Sequence, residues 1–354
     1  MTTRRRFLTM FLATAATPRI SWASVGNPSY IAAAKEGDDY ALFGLTPEGA
    51  ITFRVPLPAR GHAGAGHPTQ PIAVAFARRP GNYAIVIDCV SGSILRNLQA
   101  PEGNYFNGHG LFVDEGRILI TTEQRSSDSV GRLGLWDTEN GYSRLGELDT
   151  FGFGPHDVRL MPDMRTLVVA NGGIQTDPGG RTPLNVGAMK PNLAYLTLDG
   201  VEEIVTLDPD LHFNSIRHLA VRNDGLVAFA MQWQDDPSYL PPLMGLHRRG
   251  SDPILAQAPL TDEYPMQGYA GSIAFAPDGS EVAISSPKGG RLHRFDENGM
   301  FLGAVIQRDV CGLVAGVNGY LSSDGFGNIV TVRDGIATQI AQHPVNWDNH
   351  IIAL

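Results

Sequence analysis

The sequence predicts an all-β fold, a seven-bladed β-propeller whose last blade is closed by strands from both ends of the chain. Three observations carry this. Short apolar or alternating runs such as "IAVAFA", "YAIVID", "RILITT", "TLVVA", "LVAFAMQ" and "EVAISS" recur along the 354 residues, rich in Val, Ile and aromatics as strands are. Turn pairs separate them in two series: Glu115-Gly116, Pro162-Asp163, Asp224-Gly225, Asp278-Gly279 and Asn318-Gly319 at one level, and Glu48-Gly49, Asn140-Gly141, Asp199-Gly200, Asn298-Gly299 and Asp334-Gly335 at another. No amphipathic helix of any length intrudes. Such punctuation marks a repeat of four strands, A to D, with the first series joining A to B and the second joining C to D.

Taken in order, blades begin near Arg60, Phe106, Phe153, Ser215, Tyr269 and Asp309. The seventh takes its inner strand from "NHIIAL" and its outer three from "SYIAAAK", "YALFGL" and "ITFRVPL". Closure of this kind removes the free edges of an open sheet. Residues 24–354 are therefore expected to form a single propeller domain. Ahead of it, residues 1–23 resemble a twin-arginine signal peptide. Arg4 and Arg5 precede Phe7 and Leu8, a short and moderately apolar stretch follows, and Ser21-Trp22-Ala23 offers a small-x-small cleavage site. This predicts a mature protein exported in folded form to the periplasm.

Composition excludes several partners. A net charge of -9 and a pI near 5.5 argue against nucleic acid or an acidic membrane surface. No later segment approaches the roughly 18 to 20 uninterrupted apolar residues that span a bilayer. Cys89 and Cys311 fall in different blades and at different depths, so no disulfide between them is expected even in an oxidising compartment.

The repeat gives meaning to the histidines. His62, His109 and His156 follow one another at a constant spacing of 47 residues, and equal positions in a repeat are equivalent positions in space. Later blades carry Arg217-His218, Gly271-Ser272, Cys311 and His350 at the same place, the start of the innermost strand. These side chains should gather at the mouth of the central channel. Strand B ends there in polar residues, Arg78, Glu123, Asn171 and Gln232. The predicted metal ligands are thus His62, His109, His156, His218, Cys311 and His350, with Glu123, Asn171, Arg217 and Gln232 as outer groups. Imidazoles with a thiolate suit a borderline transition metal such as iron, copper or zinc. The competing reading is a polar channel whose side chains bond only to one another and to water. His67, His212, His247, His293 and His343 fall elsewhere in the repeat and receive no role.

Motifs of the commonest hydrolases, metalloproteases, covalent haem proteins and nucleotide-binding proteins are missing. Two insertions are long for loops within a blade: residues 171–192, and residues 232–245 with Trp233, Tyr239 and Met244. Both are candidates to cover the channel mouth.

At "RGH", "FNGHG", "FGPHD", "VANGGIQTDPGGRTPLN", "SIRHLA", "GYAGSIAF", "DVCGL" and "WDNH" the sequence resembles the bacterial exported domain-of-unknown-function family 1513. The resemblance covers nearly the whole mature chain. It implies a periplasmic propeller-like protein associated with iron-uptake gene clusters, with imelysin-like proteins as expected partners, and it raises iron, or copper, above zinc as the expected metal. The function expected is metal binding in iron acquisition. Two alternatives stand beside it: a metal-dependent propeller enzyme (a hydrolase or lactonase, or a metal oxidase) with Glu123 as acid or base, and a protein-interaction scaffold.

Overall fold

Seven four-stranded antiparallel sheets run from Tyr30 to Ala353 in the computed structural model, which describes residues 21–77, 83–177, 182–236 and 238–354. Arg4, Arg5 and Arg78 lie outside the described residues. The innermost strands are Gly61–Gly66, Asn104–Val113, Pro155–Leu160, Asn214–Val221, Ser272–Phe275, Val310–Ala315 and Asn346–Ala353. In blades 1 to 6 the other three strands follow outward in chain order. In blade 7 the last strand pairs with Tyr30–Glu36, which is followed by Asp39–Leu45 and Ile51–Leu57. Each inner strand touches the next around the ring, and Asn346–Ala353 touches Gly61–Gly66 to complete it. The fold is the predicted seven-bladed propeller, closed as predicted.

The burial of each strand follows from its place in the blade. Second and third strands such as Leu167–Asn171 and Asn192–Thr197 are buried throughout, because blades pack face to face on both sides of them. This is why they read as continuous apolar runs. Outermost strands such as Ser93–Leu98 are almost wholly exposed. An apolar cluster fills every interface between adjacent blades, for example Val168, Tyr195, Leu219 and Phe229 between blades 3 and 4. Both turn series adopt the left-handed backbone that their glycines allow: φ is 84° at Gly225 and 75° at Gly279, and 69° at Gly141 and 84° at Gly299. In the Pro162-Asp163 turn, Met164 takes the positive φ.

Closure rests on the register Tyr30↔Ala353, Ile31↔Ile352, Ala32↔Ile351, Ala34↔Trp347 and Lys35↔Asn346. Trp347 meets the edge of Phe43 at 5.4 Å within the cluster joining blades 6 and 7. Trp22 belongs to the packed structure as well. Its indole donates to the His67 carbonyl at 2.9 Å and its ring stacks on Phe53. Cleavage after Ala23 would strip this residue from the joint between blades 7 and 1.

Trp347 is 4% exposed, and its truncation would leave a cavity at the point where the ring closes. Trp347→Ala is expected to cost about 3–5 kcal/mol of unfolding free energy. Urea titration followed by circular dichroism checks this, and an unchanged midpoint would count against closure through this strand pair.

Candidate metal centre

Each channel histidine sits where its strand departs from regular pairing. In blade 1 the register skips from Gly61↔Ala77 to Gly64↔Ala75, with His62 in the gap. Blade 2 skips from Phe106↔Glu123 to Gly110↔Thr121 around His109, and blade 3 from Pro155↔Asn171 to Asp157↔Ala170 around His156. In blade 4 the extra residue is Arg217, and His218 follows it. Blade 7 breaks register between Trp347 and Ile351, around His350. A bulge bends its strand and re-aims the side chain it carries, here toward the channel. Gly108 makes the blade 2 bulge possible. Its φ is +97°, and a Cβ there would lie 2.9 Å from the His62 ring.

The five imidazoles converge. Ring centroids stand 5.0 Å apart for His62 and His109, 4.7 Å for His62 and His350, and 4.9 Å for His109 and His156. His218 lies 4.6 Å from both His156 and His350. Two triads, His62–His109–His156 and His109–His218–His350, bring their ligand nitrogens within 4.8 Å of one another, with His109 common to both. The Nε2 atoms of His62 and His109 are 3.3 Å apart. Two imidazole nitrogens bound tetrahedrally at roughly 2.0–2.1 Å would stand about 3.4 Å apart, so this spacing suits a shared ion.

The protonation states suit one too. Burial lowers the pKa of His156, His218 and His350 well below the usual imidazole value, and neighbouring histidines lower it further. Nδ1 of His156 and Nε2 of His350 are buried without a hydrogen-bond partner. Neutral imidazoles with uncommitted nitrogens are the form in which histidine binds metals. These histidine groups could hold a metal ion.

Two carboxylates stand behind the ring, and neither was singled out in the sequence. Oδ1 of Asp157 lies 3.5 Å from Nδ1 of His109, and Oδ1 of Asp348 lies 3.8 Å from Nδ1 of His62. The outer oxygen of Asp157 accepts from Arg159 at 3.1 Å and from the Leu219 amide at 3.0 Å. Arg60 bonds to Asp348 in the same way. Burial alone would raise the Asp157 pKa, but Arg159 and the contact with His109 outweigh it and hold the group ionised. At His109 the carboxylate on Nδ1 favours the tautomer with a lone pair on Nε2, the atom that faces His62. The signal was present in "GPHD" and "WDNH", where an aspartate is one or two residues from a channel histidine.

Three predicted site residues do not join the ring. Cys311 turns into the apolar cluster of Tyr30, Leu321 and Trp347, where its Sγ meets the Ser323 and Trp347 carbonyls. Burial pushes this thiol up to about 12, so it is no thiolate at neutral pH. Glu123 points into blade 2, accepting from Thr121 and from Arg144, both at 2.6 Å. The next residue, Gln124, lines the channel mouth instead, because consecutive strand residues face opposite ways. Asn171 is also committed within the structure, donating to the Thr150 carbonyl and to Asn192.

Arg217 and Gln232 do line the mouth, a cavity of about 270 Å³ walled also by His62, His156 and His218. The insertion after Asn171 contributes Ile174, Thr176 and Pro183 to that wall. In the second insertion, Trp233 packs on Tyr239 at 4.9 Å, whereas Met244 is buried in the core. Of the remaining histidines, His67 Nδ1 accepts from the Thr69 and Gln70 amides, His247 bonds to the Tyr195 hydroxyl, and His212 and His343 bond to the Pro209 and Gly49 carbonyls, whereas both ring nitrogens of His293 are buried without a hydrogen-bond partner beside Phe295 and Phe301.

The family described as Protein of unknown function (DUF1513) matches residues 55–354. The chain belongs to this family. That match spans every innermost strand, and hence every channel histidine of this family member. No curated protein matches the chain. Among solved structures the chain is similar to Kuenenia stuttgartiensis hydrazine synthase, at 14% identity and a TM-score of 0.60, over 94% of this chain and 99% of that one. A likeness at this identity extends to the fold alone.

The lowered imidazole pKa values set a pH dependence. His156, His218 and His350 stay neutral in the folded protein while the unfolded chain takes up protons below about pH 6.5. Stability is therefore complete above that value and declines as pH falls, by up to about 1.4 kcal/mol per pH unit for each such histidine. Glu263, which burial pushes up to about 7, acts in the opposite sense over the same window. The urea midpoint is expected to drop between pH 7.5 and pH 5.5, and His218→Gln is expected to reduce that drop. A drop of the same size in the variant would refute the assignment.

Proposed function

We propose that this protein is a periplasmic metal-binding propeller that handles iron, or copper, alongside imelysin-like partners in iron acquisition. The observation that carries the metal reading is the convergence of His62, His109, His156, His218 and His350, three of them held neutral by burial. A donor set of imidazoles alone suits copper, iron or zinc. The choice of iron or copper, and of the partners, draws on the company kept by the family that the sequence resembles. Export to the periplasm is supported by Arg4-Arg5 and the leader that follows. An enzyme built on the same centre would need an acid or base beside it, and Glu123, the residue first considered, is bound to Arg144.

Metal analysis of untagged protein from cells supplemented with iron or with copper tests this. Wild type is expected to carry close to one ion per chain, and a His109→Ala, His156→Ala double variant is expected to lose most of it. Equal, negligible metal in both under both regimes would end the proposal. Asp157→Asn removes the charge behind His109 and is expected to weaken metal affinity roughly 10–100-fold in chelator competition. Unchanged affinity would show that the carboxylate does not act through the ring.

A further inference from the structure

The cavity above the imidazoles differs in charge from the rest of the molecule. The chain carries a net charge of -9, yet no aspartate or glutamate stands among the described lining residues of this cavity, and the only charged one is Arg217. Asp157 and Asp348 lie against the Nδ1 edges of their imidazoles and are paired outward to Arg159 and Arg60. A recess walled by one sign of charge at low dielectric concentrates ions of the other sign.

The rest of the wall is amide. Asn107, Gln124, Gln232, Gln234 and Asn349 line the cavity. Gln232 is oriented by donating to the Ala270 carbonyl at 3.1 Å, and Gln234 by donating to the Gln232 carbonyl at 3.0 Å. With its amide nitrogen anchored, each glutamine has a carbonyl oxygen suited to accept from a hydroxyl. Arginine meets a carboxylate through two parallel N–H bonds, a match of charge and of shape. About 270 Å³ is room for a small molecule and not for a polymer.

We propose that this cavity binds a small hydroxycarboxylate anion, with its carboxylate on Arg217 and its hydroxyl among the glutamine amides. The site does not require a metal. An ion held by neutral imidazoles would add positive charge to the same floor and tighten the anion further, so the protein would take its metal together with a carboxylate ligand.

Isothermal titration of citrate into untagged, metal-stripped protein tests the site, with acetate and inorganic phosphate as comparison probes. Wild type is expected to bind citrate more tightly than either. Arg217→Gln is expected to weaken citrate at least tenfold, and Arg217→Lys, which keeps the charge without the fork, to fall between. The lysine variant carries the test if the glutamine variant fails to fold. Equal citrate affinity in wild type and both variants, no citrate binding to wild type at millimolar concentration, or preference for phosphate would each overturn the proposal. Metal content of the loaded proteins separates the two readings. Citrate binding that depends on Arg217 in a protein that takes up no metal supports this site and counts against the metal centre, whereas a metal-loaded protein indifferent to citrate does the reverse.

Discussion

The pairing of Asn346–Ala353 with Tyr30–Glu36 is the constraint on which the remaining structure depends. Seven sheets joined in a row would leave an unpaired edge and an uncovered apolar face at each end, both costly in water. Joining the last strand to the first sheet covers both, and it fixes the distance from each inner strand to the axis. The apolar clusters between blades then act as equivalent wedges, each requiring its neighbours. Separated by about 47 residues or more in the chain, the channel side chains come within ring-contact distance only because the circle is complete.

The channel concentrates groups that stability alone would not place together. Burying imidazoles side by side forces them to remain neutral and leaves nitrogens such as Nδ1 of His156 without a hydrogen bond. Irregular pairing of the inner strands adds unmatched backbone at the same level. Away from the channel the ion pairs lie mostly on exposed strands, where they contribute little. Neutral imidazoles crowded around one opening, with nitrogens left unmatched, are the pattern expected of a binding site.

Asp157 and Asp348 follow a shared plan. Each comes from the blade next to the histidine it faces: Asp157 of blade 3 lies behind His109 of blade 2, and Asp348 of blade 7 behind His62 of blade 1. Each also has an arginine on its outer oxygen. The arginine offsets the charge of each buried carboxylate, and at His109 the carboxylate orients the ring. The fold shared with hydrazine synthase supplies the scaffold for such a plan without dictating its chemistry.

The repeat was legible in the sequence because propeller strands differ little from blade to blade and their turns demand glycine at fixed places, as at Gly225, Gly279 and Gly299. From the same spacing came the convergence of His62, His109, His156, His218 and His350, since equivalent places in a closed repeat share one radius. The direction of a side chain within a strand was another matter. Glu123 and Gln124 differ by one residue and by the whole thickness of the blade, and a bulge can reverse the order in which residues face the axis. Cys311 kept its position in the repeat but turned between blades, because a small apolar thiol gains more from the Trp347 cluster than from a polar channel. Asp157 and Asp348 acquired their roles only from the neighbouring blade. Periodicity in the chain determined which residues reach the axis, and packing between blades, which no local pattern encodes, decided which of them face it.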